Sequence, residues 1–145
     1  MPAWLQAGVQ DYHKRMPREL QVQWIEIPAS KRTGQYDQSR AQQQEAQRIE
    51  RYLANNDHLV ALEVLGKSWS TKDLAAELNK WQLAAKDVAI IIGGPDGILP
   101  SLSAKANQHW SLSALTLPHP LVRVLLAEQL YRAWTINQGH PYHKE

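Results

Sequence analysis

Five consecutive apolar residues, Val88–Ile92 (VAIII), run directly into Gly93-Gly94-Pro95-Asp96-Gly97. No other feature of the chain narrows its fold as much. A strand without polar alternation is buried on both faces, as in a parallel sheet covered by helices. The glycine run then stops the strand abruptly. A parallel strand also needs a crossover, usually helical, before its neighbour, so strands and helices must alternate.

The remaining sequence meets that demand. Residues 2–15 form an amphipathic helical pattern, with Trp4, Leu5, Gly8, Val9 and Tyr12 at helical spacing and Pro2 in the first turn. Residues 20–27, rich in β-branched and aromatic side chains and stopped by Pro28, read as a strand. A basic loop with Lys31, Arg32 and Gly34 follows, then a polar helix over residues 39–53 whose sparse apolar positions are Ala41, Ile49 and Leu53. Residues 58–65 (HLVALEVL) are a second strand closed by Gly66. Ser70 has the chemistry of an N-cap, with Asp73 three positions on in a variant capping box, and the helix it opens carries Leu74, Leu78 and Trp81 on one face. After the glycine loop come a short helix at 101–107, a strand at 110–117 ended by Pro118-His119-Pro120, and a last helix at 121–137. This alternation predicts an α/β fold: one domain over residues 1–145, a mostly parallel, doubly wound sheet with helices on both faces.

Composition removes several function classes. Cysteine is absent from all 145 residues, so there is no disulfide framework, thiolate zinc site, iron–sulfur cluster or cysteine nucleophile. No histidine pair at i, i+4 spacing has a carboxylate to complete a site, and no metal is expected. No apolar run approaches the ~20 residues of a membrane span. Residues 1–10 lack the basic start and apolar core of a signal peptide, so a cytoplasmic location is expected. The net charge of +2 permits an anionic partner without demanding one.

In open α/β sheets, ligands bind beyond the carboxyl ends of the strands. Three such ends stand out: Leu62 leading to Glu63 and Gly66, Ile92 leading to the glycine loop, and the third strand leading to Ala114-Leu115-Thr116-Leu117-Pro118. The glycine loop has two readings, a plain turn or a place where a ligand meets the backbone closely. It matches neither the Walker pattern nor GxGxxG, which argues against a polyphosphate. The last helix is apolar around much of its circumference, through Leu121, Val122, Val124, Leu125, Leu126, Leu130, Trp134 and Ile136. It must be covered on more than one side, by the chain's own core or by a second subunit. Arg123 is the one charge between Leu121 and Ala127, whereas Arg132 falls four residues after Glu128, the spacing of a helix-surface ion pair. His119 lies between two prolines at a strand end, where it either faces solvent or meets a ligand. His140, Tyr142, His143 and Lys144 make a polar, aromatic tail, a pattern that in most proteins is a frayed terminus.

Together these stretches resemble one family. The segments from Ile92 to Gly97 (IGGPDG), from Ser111 to Arg123 (SLSALTLPHPLVR), from Glu128 to Ala133 (EQLYRA) and the ending Pro141-Tyr142-His143-Lys144 are similar to the ribosomal RNA large-subunit methyltransferase H family of the SPOUT, or α/β-knot, superfamily. Ile25-Glu26-Ile27-Pro28, Lys31-Arg32 and Leu62-Glu63-Val64 with Gly66-Lys67 also fit its pattern, so the resemblance covers essentially the whole chain. It implies a cytoplasmic homodimer with a C-terminal trefoil knot that transfers a methyl group from S-adenosylmethionine to N3 of a pseudouridine in 23S rRNA on assembled ribosomes. Cofactor contacts carry over to Leu62, Gly93, Leu112, Ser113, Ala114, Leu115, Thr116 and Leu117, and catalytic roles to Arg132, Tyr142 and His143. Phosphate contacts are expected from Lys31, Arg32, Arg40, Arg48, Arg51 and Lys67. The family's short first strand, ahead of the first helix, has no counterpart in this sequence. A non-catalytic ribosome- or RNA-binding module of the same fold is the competing expectation.

Overall fold

The computed structural model describes residues 2–28, 30, 35–54, 57–94 and 96–144. Contacts group the chain into two units: a helical unit of residues 1–24, 69–85 and 116–145, and a sheet unit of residues 25–68 and 86–115.

In the sheet unit, helices α1 (Ala3–Arg15) and α3 (Thr71–Ala84) being part of the other unit, the first element is α2 (Gln35–Glu50), followed by β1 (His58–Ser68), β2 (Val88–Ile92), α4 (Pro100–Ser103) and β3 (Gln108–Ser111). The strands lie in the order β2-β1-β3, and β1 pairs in parallel with both neighbours. Alternate β1 residues separate the two faces. Leu59 packs with Ile91 of β2, Ala46 of α2 and Leu102 of α4, and Ile49 and Leu53 border the same cluster. The small Ala41 and Ala46, both buried, suit an otherwise polar helix that must lie close to a sheet. Val60, Leu62 and Trp110 are also buried.

β1 is longer than the hydrophobic pattern suggests because Gly66 does not close it. Leu62 and Lys67 both register with Trp110, so residues 63–66 bulge out before the strand rejoins β3 at Ser68 opposite Ser111. A Cβ on Gly66 would lie 2.7 Å from the carbonyl carbon and 2.8 Å from the nitrogen of Trp110. Only glycine lets the strand return this closely.

The helical unit contains α1 (Ala3–Arg15), α3 (Thr71–Ala84), α5 (His119–Asn137) and a 3-10 turn (Pro141–Lys144). The capping box forms as read: Asp73 N donates to Ser70 Oγ at 3.0 Å, and Ser70 N donates to Asp73 Oδ2 at 2.9 Å. Leu74, Leu78 and Trp81 are buried. Both α1 and α3 pack on α5, which covers Leu126, Ala127, Leu130 and Ala133 from within the unit. Gly8 lets α1 approach, with Val124 at 3.4 Å from a notional Cβ.

Several expectations are corrected. Residues 20–27 form no strand and pair with none among the described residues. Leu20 is buried, Gln21 exposed, Val22 half-buried and Gln23 exposed, so the alternation is present without a ladder. β-propensity records a half-buried surface and cannot supply a pairing partner. The strand at 110–117 shrinks to Gln108–Ser111, because Ser111 Oγ donates to Ser113 O at 3.0 Å and Leu115 N donates to Ser113 Oγ at 3.0 Å. Such local side-chain bonds compete with a ladder and turn the chain. His119 consequently opens α5, with Pro118 as its N-cap, instead of ending a strand. The helix at 101–107 is a single turn, α4, and α2 begins at Gln35 and ends at Glu50, ahead of the expected residues 39–53.

Gly66→Ala should destabilise the protein by about 1–3 kcal/mol, because the clash is with backbone and cannot be relieved by a rotamer change. Gly8→Ala, facing the Val124 side chain inside a helix, should fall within about 1 kcal/mol of neutral. Urea unfolding of the two variants checks the contrast.

Candidate functional site

In the sheet unit, the register sets a common edge. Leu62 of β1 is opposite Ile92 of β2 and Trp110 of β3. Gly93 follows directly after that level and Leu112 follows Ser111, the last residue of β3, so both chains leave the sheet at the same edge, across about 10 Å of sheet width. Six of the eight residues expected to hold a cofactor, Leu62, Gly93, Leu112, Ser113, Ala114 and Leu115, are gathered in this unit. Leu112 and Ser113 are half-buried, and Leu115 is 71% exposed. Thr116, exposed, and Leu117, half-buried, belong to the helical unit. None of the eight side chains is charged, which suits a neutral nucleoside face and not a polyphosphate.

The glycine loop is folded tightly on itself. Gly97 N donates to Gly94 O at 3.0 Å, and Gly97 takes φ +81°, a left-handed conformation suited to glycine. A Cβ on Gly93 would meet the Gly97 carbonyl carbon at 2.6 Å and Ile98 N at 2.8 Å. The loop is also held from outside: on α2, Gln38 Nε2 donates to Asp96 Oδ1 at 2.5 Å and Gln42 Nε2 donates to Asp96 O at 3.1 Å. Downstream, Glu63 ties α4 and β3 to the end of β1, accepting from Ser103 Oγ at 2.5 Å and lying 3.1 Å from His109 Nδ1. Sequence reasoning missed both arrangements. Their partners lie 40 to 58 residues apart, so no local pattern signals them.

In the helical unit the expected tail does not fray. The 3-10 turn lays Tyr142 against α5, its ring 4.8 Å edge-on from Tyr131 and 4.9 Å from the Arg132 guanidinium carbon. Glu128 is the centre of this group. Its Oε1 accepts from Arg132 Nε at 2.6 Å and from the Tyr142 hydroxyl at 3.3 Å, and its Oε2 accepts from Gln129 Nε2 at 2.7 Å. Thr71 Oγ1 in turn donates to Gln129 Oε1 at 2.9 Å. The i, i+4 pair is thus real but does more than decorate a surface. Arg132 is held by Nε and by the tyrosine ring, while among the described residues its two terminal amino groups have no hydrogen-bond partner. A guanidinium fixed in this way presents two donors to a developing anion. Its bond to Glu128 raises its pKa further, so it stays charged.

Burial, with a hydrogen bond to Tyr12 and the charge of Glu128, pushes the Tyr142 phenol up to about 12. At neutral pH Tyr142 therefore donates a hydrogen bond and does not act as a base. The side chain of His143 lies outside the described residues, as do Lys31 and Arg32. Of the other expected phosphate contacts, Arg40, Arg51 and Lys67 are exposed. Arg48 is instead engaged by Pro28 O at 2.7 Å and Ser30 Oγ at 2.9 Å. Among the described residues no group of three His, Asp or Glu side chains could hold a metal ion, and no helix is long and apolar enough to cross a membrane.

A family model described as "Predicted SPOUT methyltransferase" matches residues 1–143. A "Ribosomal RNA large subunit methyltransferase H" from Hahella chejuensis (strain KCTC 2396) is 56% identical over 145 residues, covering 100% of this chain and 93% of that protein.

The state of Tyr142 is open to measurement. Its pKa is raised from 10.0 to about 12 on folding. Between those values the unfolded chain releases the proton and the folded chain keeps it, so this contribution to stability is lost as pH rises through the window. Denaturant unfolding should show the native protein losing stability more steeply than Tyr142→Phe between pH 10 and pH 12. Parallel curves would contradict a half-buried, protonated phenol.

Proposed function

The chain belongs to the SPOUT methyltransferase family, and we propose from that premise that it methylates N3 of a pseudouridine in 23S rRNA, with S-adenosylmethionine as methyl donor. One observation carries the reading: a ribosomal RNA large subunit methyltransferase H is 56% identical over 145 residues, so the likeness spans the whole chain. The proposal extends to a homodimer acting on assembled ribosomes in the cytoplasm and to a trefoil knot in the C-terminal half. Half-buried Leu121, Val122 and Val124, with Leu125 37% exposed, supply apolar surface suited to a second subunit.

The donor fits the residues present. Leu62, Gly93, Leu112, Ser113, Ala114, Leu115, Thr116 and Leu117 would hold it, largely through main chain and small or aliphatic side chains. When bound, S-adenosylmethionine supplies an electrophilic methyl group on a positively charged sulfur. The protein's own task is to orient the nucleotide and manage one proton. Pseudouridine N3 is an imide nitrogen, so its proton must leave as the new N–CH3 bond forms. While that proton leaves, and until the methyl carbon has passed from sulfur to N3 and the neutral thioether is released, negative charge spreads onto the flanking carbonyl oxygens. The preset amino groups of Arg132 are suited to receive it, at no reorganisation cost. Tyr142 keeps Arg132 in place and remains a donor. His143 is the proposed proton acceptor or nucleotide-orienting group. Ribosome affinity is assigned to Lys31, Arg32, Arg40, Arg51 and Lys67 through phosphate contacts.

Calorimetry with S-adenosylmethionine, followed by methylation assays on ribosomes, tests the reading. Binding together with methyl incorporation at pseudouridine N3 is expected; binding without turnover would identify a non-catalytic module instead. Arg132→Ala should lower the methylation rate by about 10²–10³-fold, the scale of losing a charge-stabilising donor. Normal methylation by a chain truncated after Gly139 would remove Tyr142 and His143 from the mechanism. Replacing Lys31 and Arg32 together should weaken ribosome binding and flatten its salt dependence; unchanged affinity and slope would withdraw that assignment.

A further inference from the structure

We propose that Gln38 and Gln42 are positioning residues for the methyl donor, holding the glycine loop through Asp96 in the shape that receives it. The inference rests on the assignment of Gly93 to the donor's site. The two glutamines are one turn apart on a single face of α2. They grip different parts of one residue, Gln38 its carboxylate at 2.5 Å and Gln42 its carbonyl oxygen at 3.1 Å. Both the side chain and the main chain of Asp96 are therefore tied to the helix.

A loop with three glycines in five residues has an unusually large ensemble to lose when a ligand orders it. Ordering the loop beforehand removes that cost from binding. The bond from Gly97 N to Gly94 O closes the turn on itself, but does not fix where the turn stands relative to Leu62. A grip from α2 does so, because α2 is itself anchored. Ala46 packs with Leu59 of β1, Ile91 of β2 and Leu102 of α4, and Glu45, only 8% exposed, accepts from Ser30 N at 2.9 Å. Leu59 lies on the same strand as Leu62, and Ile91 is two residues before Gly93. One rigid element thus touches the strands and the loop that follows them.

The effect belongs to donor affinity, since neither glutamine is placed at the reacting atoms. Calorimetry and steady-state methylation with S-adenosylmethionine separate the outcomes. Gln38→Glu combined with Gln42→Glu keeps side-chain length but sets two carboxylates against Asp96. That pair should raise the donor Kd and KM about tenfold, with kcat at saturating donor within about twofold of the native enzyme. Gln38→Lys restores a donor to Asp96 Oδ1 and should bind within about threefold of native. Should the double variant fail to fold, Gln42→Ala alone should raise Kd about threefold. Native affinity in the folded glutamate pair, native affinity in Gln42→Ala where that variant is the one measured, a loss confined to kcat, or a Gln38→Lys protein as weak as the pair would each overturn the proposal. If the native protein itself does not bind the donor, the assignment of the sheet edge fails, and this inference with it.

Discussion

Leu62 stands level with Ile92 on one side and Trp110 on the other, and this double parallel pairing constrains everything built on the sheet. It forces both neighbouring chains to leave the sheet at the same edge, because parallel strands share a direction. It pairs β1 on both flanks only from Val60 to Leu62, so unpaired main chain begins past that level, the general binding position of parallel sheets. Gly66 makes the arrangement compatible with a strand that continues. With no Cβ to meet the Trp110 backbone, β1 bulges through residues 63–66 and returns to β3. Glu63 then occupies the start of the bulge, where its carboxylate meets α4 and β3.

The helical unit depends on a different kind of order. An arginine on an exposed helix face samples many rotamers, and restricting it is costly. Here Glu128 takes its Nε and the Tyr142 ring takes its face. Glu128 is fixed in turn by Gln129, and Gln129 by Thr71 at the first turn of α3. The guanidinium is thereby restrained while its terminal donors keep no partner among the described residues. Burial also holds the Tyr142 proton, so in the proposed mechanism proton acceptance falls to another group.

What the sequence revealed, and what it hid, follows from the range of each interaction. The capping box of Ser70 and Asp73 and the buried face of α3 are local patterns, and each forms as read; VAIII forms a parallel strand, but at the edge of the described sheet, with Ile91 buried and its other four residues half-buried. Residues 20–27 show the limit of such patterns, since alternating burial does not create a ladder. Ser111 and Ser113 illustrate a local signal that hydrophobicity outweighed: their side-chain bonds end β3 where the apolar run suggests continuation. The sheet-edge residues were legible because strand ends in parallel sheets are a general binding position, and the family resemblance picked out the same ones. The spacing of Glu128 and Arg132 was legible as well, but the docking of Tyr142 on that pair was not. A tail residue's contact with a helix depends on how the intervening turn folds, here through His140 N donating to Thr135 O at 2.8 Å. Gln38 and Gln42 resemble any other glutamine in a polar helix until the loop 54 to 58 residues away is seen beside them.

The account depends on the methyl donor lodging at the carboxyl edge of the β2-β1-β3 sheet. Main-chain amide NMR spectra recorded during titration with S-adenosylmethionine test this most directly, because they report on backbone groups one residue at a time. The largest shifts should fall on Leu62, Gly93 and residues 112–117, with His58 and Gln108, at the opposite end of the strands, little changed. Shifts centred on that opposite end, or no saturable change anywhere, would contradict the account.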